Sequence, residues 1–194
     1  GSILCNGALM KLTKDFLTTA LPEAHWYWGS TKLEAESALW NTIDRWVPIS
    51  IDTRTLVCGD FFIPLKGPSF DAHDFIESAL KIGASGVLVA ESRWEAVACL
   101  PESVRAEKLF IVVPDTLDAF VQLAKAQRAS LVCPVVGITG SVGKTTTKEM
   151  VRAIVEHAGI NAYVSIKTYN NVYGICYGLL NMPEDAELVI QEVG

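Results

Sequence analysis

The stretch Val135-Val136-Gly137-Ile138-Thr139-Gly140-Ser141-Val142-Gly143-Lys144-Thr145-Thr146-Thr147 does most to narrow what this chain can become. A β-branched apolar run ends in a glycine-spaced turn, and helical periodicity follows it, so the pattern is strand, loop and helix start. Gly140 and Gly143 let backbone N–H groups converge on phosphate oxygens, and the positive end of the following helix points at the same place. Lys144 adds a mobile positive charge for terminal phosphates, and the Thr145 hydroxyl can ligate magnesium. Thr139, Ser141, Val142 and Thr146 complete the loop expected to wrap the nucleotide. The general phosphate-loop pattern places glycine where Ile138 stands, and the nearest glycine is Gly137, but strand, turn and helix are all present. The stretch predicts a nucleoside-triphosphate site.

A chain of 194 residues, half of them apolar, has room for one large domain or two small ones around a sizeable core. Its formal net charge of -6 argues against sequence-independent nucleic-acid binding. No apolar run reaches the length of a membrane span and no signal segment opens the chain, so a cytoplasmic protein without membrane insertion is expected. Cys5, Cys58, Cys99, Cys133 and Cys176 are scattered without a paired spacing, which suits free thiols in a reducing compartment. Gly1-Ser2 resembles an expression scar and Met10-Lys11-Leu12-Thr13 a native start, so residues 1–9 are set apart from the fold.

From Leu12 to Leu21 the apolar positions share one helical face, stopped by Pro22. The aromatic group His25-Trp26-Tyr27-Trp28 can stack on a base or pack a small domain, and residues 22–47 say little else. Ile49-Ile51 alternates like a strand, Phe61-Leu65 reads as a second strand, Phe75, Ile76, Ala79 and Leu80 share a helix face, and Gly83 sits at a helix end. Gly86-Ala90 and Leu109-Val113 are apolar strand runs, the second ended by Pro114. Strands alternating with helices predict an α/β domain over 10–114. A helix over Thr116–Ala129 then leads into the phosphate-loop strand. After the loop, Val151, Ile154, Val155 and Ala158 are expected to form a buried stripe, and Ala162-Val164 and Leu188-Ile190 read as further parallel strands. This second unit, 115–194, is the first part of a parallel-sheet nucleotide-binding domain. So few strands would leave an edge and a face uncovered, which predicts that the native chain continues.

Three further groups carry chemistry. Asp52-Thr53-Arg54 offers a carboxylate, a hydroxyl and a guanidinium at a strand end, a set able to grip a ribose or a diphosphate. Lys66-Gly67 with Phe70, Asp71 and His73 adds a cation, a close-approach glycine, a stacking ring and polar groups; each group taken alone reads more readily as a surface loop or a helix cap. Asn170-Asn171 makes either a turn or a pair of amide contacts. Glu192 follows an apolar strand, where its carboxylate can reach the magnesium of a bound nucleotide or simply meet solvent.

On these residues the sequence resembles the Mur ligase family, ATP-dependent enzymes that build the peptide of bacterial cell-wall precursors. The loop Gly137 to Met150 is similar to the ATP loop of the branch that adds a dipeptide, and that loop has the variant glycine spacing noted above. Asp52-Thr53-Arg54, Gly59-Asp60-Phe61-Phe62 and Lys66-Gly67 through Phe75 are similar to a first-domain signature that holds the UDP-sugar end of the substrate. Asn170, Asn171 and Gly174 favour the dipeptide-adding branch, and Glu192-Val193-Gly194 resembles a Glu-Leu-Gly whose carboxylate binds magnesium. The sequence departs from the family at Lys167-Thr168, at Ile175-Cys176-Tyr177 and at Ala72.

The resemblance implies a monomeric ligase using ATP and Mg2+ to join D-alanyl-D-alanine to UDP-N-acetylmuramoyl-tripeptide through an acyl phosphate. Lys144 and Glu192 would serve catalysis, Thr145 and Glu192 the metal. Asp52, Thr53, Arg54, Lys66, Gly67, Phe70, Asp71, His73, Asn170 and Asn171 would meet the UDP-sugar substrate. This length of chain alone is expected to be inactive. The alternatives are another amide ligase, of the tripeptide-forming or folylpolyglutamate-synthase-like kind, and a non-catalytic UDP-sugar-binding module.

Overall fold

The computed structural model describes residues 10–67, 69–166 and 169–194. The segment 1–9, with Cys5, lies outside the described residues, as do Pro68 and the departures at Lys167 and Thr168. The chain divides into two compact units, 10–126 and 127–194.

The first unit contains strands β1 (Met10–Leu12), β2 (His25–Trp28), β3 (Thr31–Lys32), β4 (Arg45–Val47), β5 (Ile49–Ser50), β6 (Phe61–Phe62), β7 (Gly86–Ala90) and β8 (Leu109–Val113). Its helices are α1 (Lys14–Ala20), α2 (Trp40–Ile43), α3 (Ile76–Ile82), α4 (Glu91–Ala98) and α5 (Glu102–Arg105), and α6 (Thr116–Ser130) begins within it. Six strands form one sheet in the order β3-β2-β8-β7-β6-β5, in which β5 to β8 run parallel and β2 runs antiparallel to β8. The β7 and β8 runs are apolar at nearly every position because both faces of these central strands are covered. On one face, Val87, Val89, Phe110 and Val112 pack with Ile76, Ala79 and Leu80 of α3 and Val97 of α4. The register sets Val87 beside Phe110 and Val89 beside Val112, so the side-chain alternation of the two strands coincides.

Several expectations move. Leu12 belongs to β1, paired with Arg45 of β4, and Thr13 caps the first helix by accepting from Phe16 N at 3.3 Å. The aromatic group His25-Trp28 is a sheet strand: Trp26 is buried edge-on against Trp40 at 5.7 Å, and Tyr27 lies 4.3 Å from the Trp94 ring. These rings pack the domain. The first unit also runs past Pro114 to Ala126, because Ala119, Phe120, Leu123 and Ala124 of α6 are buried.

The second unit contains β9 (Val135–Ile138), α7 (Lys144–His157), β10 (Ala162–Val164), α8 (Val172–Leu180) and β11 (Leu188–Glu192). Its three strands are parallel in the order β10-β11-β9. A small core gathers Tyr163, Met182, Ala186 and Val189, with Leu131, Cys133, Val135 and Leu179 packed against it. The phosphate-loop strand is less buried than its composition suggests, because β9 stands at the end of this sheet and Val136 is 43% exposed. The stripe expected on α7 is likewise only partly covered: Val155 is buried, whereas Ile154 is 66% exposed and Ala158 is exposed. A three-stranded sheet offers the helix one narrow strip, and the residue that fills it beside Val155 is Lys148.

Among the described residues no helix is long and apolar enough to cross a membrane, and Cys58, Cys99 and Cys133 are free thiols.

Candidate nucleotide and substrate sites

In the second unit the parallel register places Glu192, the last residue of β11, beside Ile138, the last of β9. The loop 139–143 therefore leaves the sheet at the carboxyl edge where Glu192 ends its strand, the edge at which open α/β sheets take ligands. Gly140 and Gly143 have φ of +150° and +80°, a region costly for side-chain-bearing residues, and Gly143 caps α7. Thr139, Ser141, Val142 and Thr146 are exposed around this helix start, so the backbone is open to an anion. The Lys144 ammonium folds back to donate to the Gly140 carbonyl at 2.5 Å.

Thr145 Oγ1 lies 3.3 Å from both carboxylate oxygens of Glu192. Two hard oxygens at that separation suit magnesium, whose octahedral ligands at about 2.1 Å stand roughly 3 Å apart. Among the described residues no cluster of three or more His, Cys, Asp or Glu side chains could hold a metal. Magnesium bound at nucleotides commonly takes few protein ligands and fills its shell with water and phosphate.

Sequence reasoning missed the groups that hold Glu192. Lys148 Nζ, fully buried, forms an ion pair with Glu192 Oε2 at 2.9 Å. The Ser165 hydroxyl, also buried, accepts from Glu192 N at 2.9 Å. One signal was available: Lys148 lies three residues beyond Thr145 and seven before Val155, on the face that meets the sheet. The carboxyl of Glu192 is held below the usual carboxylate range, first by its hydrogen bond from Lys148, against the opposing effect of burial. Its folded pKa is lowered, so its contribution to stability is present above the ordinary value near 4.5 and is lost as pH falls through the folded value. Amide exchange in β11, corrected for intrinsic rates, should accelerate on acidification below about pH 4.5, and Glu192→Gln should flatten that response.

Asn170 and Asn171 belong to this unit. The Asn170 side chain bonds to Glu192, and its carbonyl accepts from Gly194 N at 2.8 Å. Asn171 caps α8, accepting from Gly174 N at 2.9 Å, a helix that the sequence pattern does not announce.

In the first unit a cavity of about 480 Å³ opens where β5 and β6 end, lined by Asp52, Thr53, Arg54, Phe62, Phe70 and Phe75 among others. Phe70 and Phe75 are 61% and 46% exposed, so two aromatic rings face the opening. Asp52 grips Arg54 through Nε at 2.9 Å and Nη2 at 2.5 Å, which orients the guanidinium and lowers the Asp52 pKa. Gly67 N donates to the Phe70 carbonyl, and a side chain at Gly67 would meet the Phe70 ring at 2.7 Å, while the backbones of Lys66 and Asp71 pair in an isolated antiparallel β-bridge. His73 is not free for a ligand. It is buried, with Nδ1 2.6 Å from Asp71 Oδ1 and Nε2 accepting from Ala90 N at 3.3 Å, so it ties the loop to the end of β7.

One unit thus offers a nucleotide loop with a metal-type oxygen pair, the other an aromatic cavity with an oriented guanidinium. The Mur ligase family catalytic domain matches residues 48–128 and the Mur ligase middle domain residues 138–194, and the chain belongs to the Mur ligase family. Within that family it is similar to UDP-N-acetylmuramoyl-tripeptide--D-alanyl-D-alanine ligases. It is 40% identical to that of Synechocystis over 145 residues and 39% identical to that of Bacillus subtilis over 146. Each match covers 75% of this chain and 30% of the relative, so the chain spans about a third of the length of the curated relatives it matches. Two solved structures are also similar. That of MurF from Acinetobacter baumannii gives a TM-score of 0.72 at 28% identity, covering 96% of this chain and 36% of the other. That of the MurF ligase from Thermotoga maritima, in complex with ADP, gives 0.61 at 28% identity over 75% and 31%.

Proposed function

We propose that this chain is part of an ATP-dependent amide-bond ligase that adds D-alanyl-D-alanine to UDP-N-acetylmuramoyl-tripeptide, acting as a cytoplasmic monomer in peptidoglycan precursor synthesis. The observation that carries the reading is the nucleotide loop with Thr145 and Glu192 at one carboxyl edge, in a chain whose relatives bear that activity. ATP would phosphorylate the terminal carboxylate of the tripeptide, giving an acyl phosphate and ADP, and the dipeptide amine would attack the acyl carbon, losing a proton and releasing phosphate. Catalysis of this kind is mainly positioning and charge neutralisation. Loop amides and the α7 N-terminus would bind the phosphates, Lys144 would swing from Gly140 to neutralise them, and Thr145 with Glu192 would hold magnesium. That ion, when bound, supplies further charge neutralisation at the transferring phosphoryl group.

The cavity beside Arg54 is the proposed seat of the UDP-sugar end, with Phe70 or Phe75 against a planar base and Arg54 against the diphosphate. Lys66, backbone-paired with Asp71 on the loop that carries Phe70, is the proposed second cation for the diphosphate. Asn170 and Asn171 are better suited to ordering the Glu192 end of the sheet than to the sugar.

The reading predicts a division of labour. In the intact protein Arg54→Ala should raise the KM for UDP-N-acetylmuramoyl-tripeptide roughly tenfold to a hundredfold, with the KM for ATP nearly unchanged. Steady-state kinetics with each substrate varied in turn test this. A loss of ATP affinity in place of UDP-sugar affinity would contradict the assignment of the cavity.

A further inference from the structure

The least exposed cation among the described residues is on the helix that begins at the nucleotide loop. Lys148 is 0% exposed, while Met150 and Ile154 of the same helix are 62% and 66% exposed. The helix turns a lysine inward in preference to two apolar side chains. Burying an ammonium is costly, and replacing a buried ion pair by apolar residues of similar volume is often neutral or stabilising, so stability alone does not account for the arrangement.

The geometry gives Lys148 a task. Its Nζ lies 2.9 Å from Glu192 Oε2 and has no other partner among the described residues. The backbone of Glu192 is fixed by Ser165, and its carboxylate faces Thr145 Oγ1. Lys148 thus engages Oε2 and leaves Oε1 as the oxygen it does not hold, while the Asn170 side chain also bonds the carboxylate. Magnesium requires near-ideal octahedral geometry, which one carboxylate oxygen satisfies and the narrow bite of two does not; calcium accepts both modes with six to eight ligands.

We propose that Lys148 is a positioning residue that confines Glu192 to one-oxygen ligation beside Thr145 and thereby selects magnesium over calcium at the nucleotide site. The inference rests on the reading of Thr145 and Glu192 as the metal-holding pair.

The test is equilibrium binding of a fluorescent ATP analogue to the intact protein, titrated with Mg2+ alone and with Ca2+ alone, for the parent, Lys148→Met and Lys148→Gln. Circular dichroism and thermal melts report folding. In each variant that folds, the ratio of the calcium Kd to the magnesium Kd should fall about tenfold, in keeping with the usual effect of removing a group that orients a metal ligand. A merely structural lysine would shift both affinities together. A folded variant whose ratio stays within about twofold of the parent overturns the role of Lys148 and leaves the ligase reading standing. Failure of both variants to fold makes Lys148 a folding residue and overturns the proposal. Absence of any metal-dependent nucleotide binding by the parent overturns the ligase reading and this role with it.

Discussion

Lys144→Ala in the intact protein is expected to lower ligation by on the order of 10²–10³-fold or more and to weaken ATP binding. Losing one preorganised electrostatic contact to a developing charge typically has that effect. Loop amides and the α7 N-terminus remain, but their partial charges do not replace a full positive charge on the terminal phosphates. In the structure the ammonium rests on the Gly140 carbonyl across the open loop, so the substitution removes a charge without emptying a core position. Nucleotide titration and steady-state turnover measure the two effects. Turnover equal to that of the parent would remove this loop from the chemistry.

The second large effect is on folding. Phe110→Ala should destabilise the first unit by about 3–5 kcal/mol, the usual range for deleting a fully buried aromatic. Phe110 is 0% exposed at the centre of the sheet, packed with Val87 and Val112 and 5.9 Å from the Trp94 ring. Domains of this size have about 5–15 kcal/mol in all, so the melting temperature should drop on the order of 10–20 °C. Ile154→Ala is the contrasting case. In this 194-residue chain Ile154 is largely exposed, and the change should stay within about 0.5 kcal/mol. Tryptophan fluorescence follows the first unit, which contains Trp26, Trp28, Trp40, Trp46 and Trp94.

That contrast also marks where sequence is informative. Runs such as Leu109-Val113 are legible because a strand covered on both faces must be apolar throughout, and Gly83 is legible because the α3 end closes on it. The nucleotide loop is legible because its chemistry is local: the residues that shape the turn and those that would bind phosphate are neighbours in the chain. Burial is not local. Ile154 and Lys148 sit on adjoining sides of one helix, and which side turns inward depends on how much sheet is there to receive it. His25-Trp28 hides a strand because aromatic residues serve a ligand platform and a packed sheet equally well, and only its pairing with β8 decides. Likewise Asn170 reaches Glu192 at the end of β11, and His73 reaches Ala90 at the end of β7, contacts that no spacing rule anticipates.

The central proposal is that this chain is part of a ligase that uses ATP to join a UDP-linked tripeptide to D-alanyl-D-alanine. The direct measurement is ADP release by the intact protein with ATP and Mg2+, supplied with UDP-N-acetylmuramoyl-tripeptide alone, D-alanyl-D-alanine alone, or both. Sustained release only when both are present, abolished by Lys144→Ala, is the predicted result. Release that proceeds equally well without either substrate, or no release with both, would contradict it.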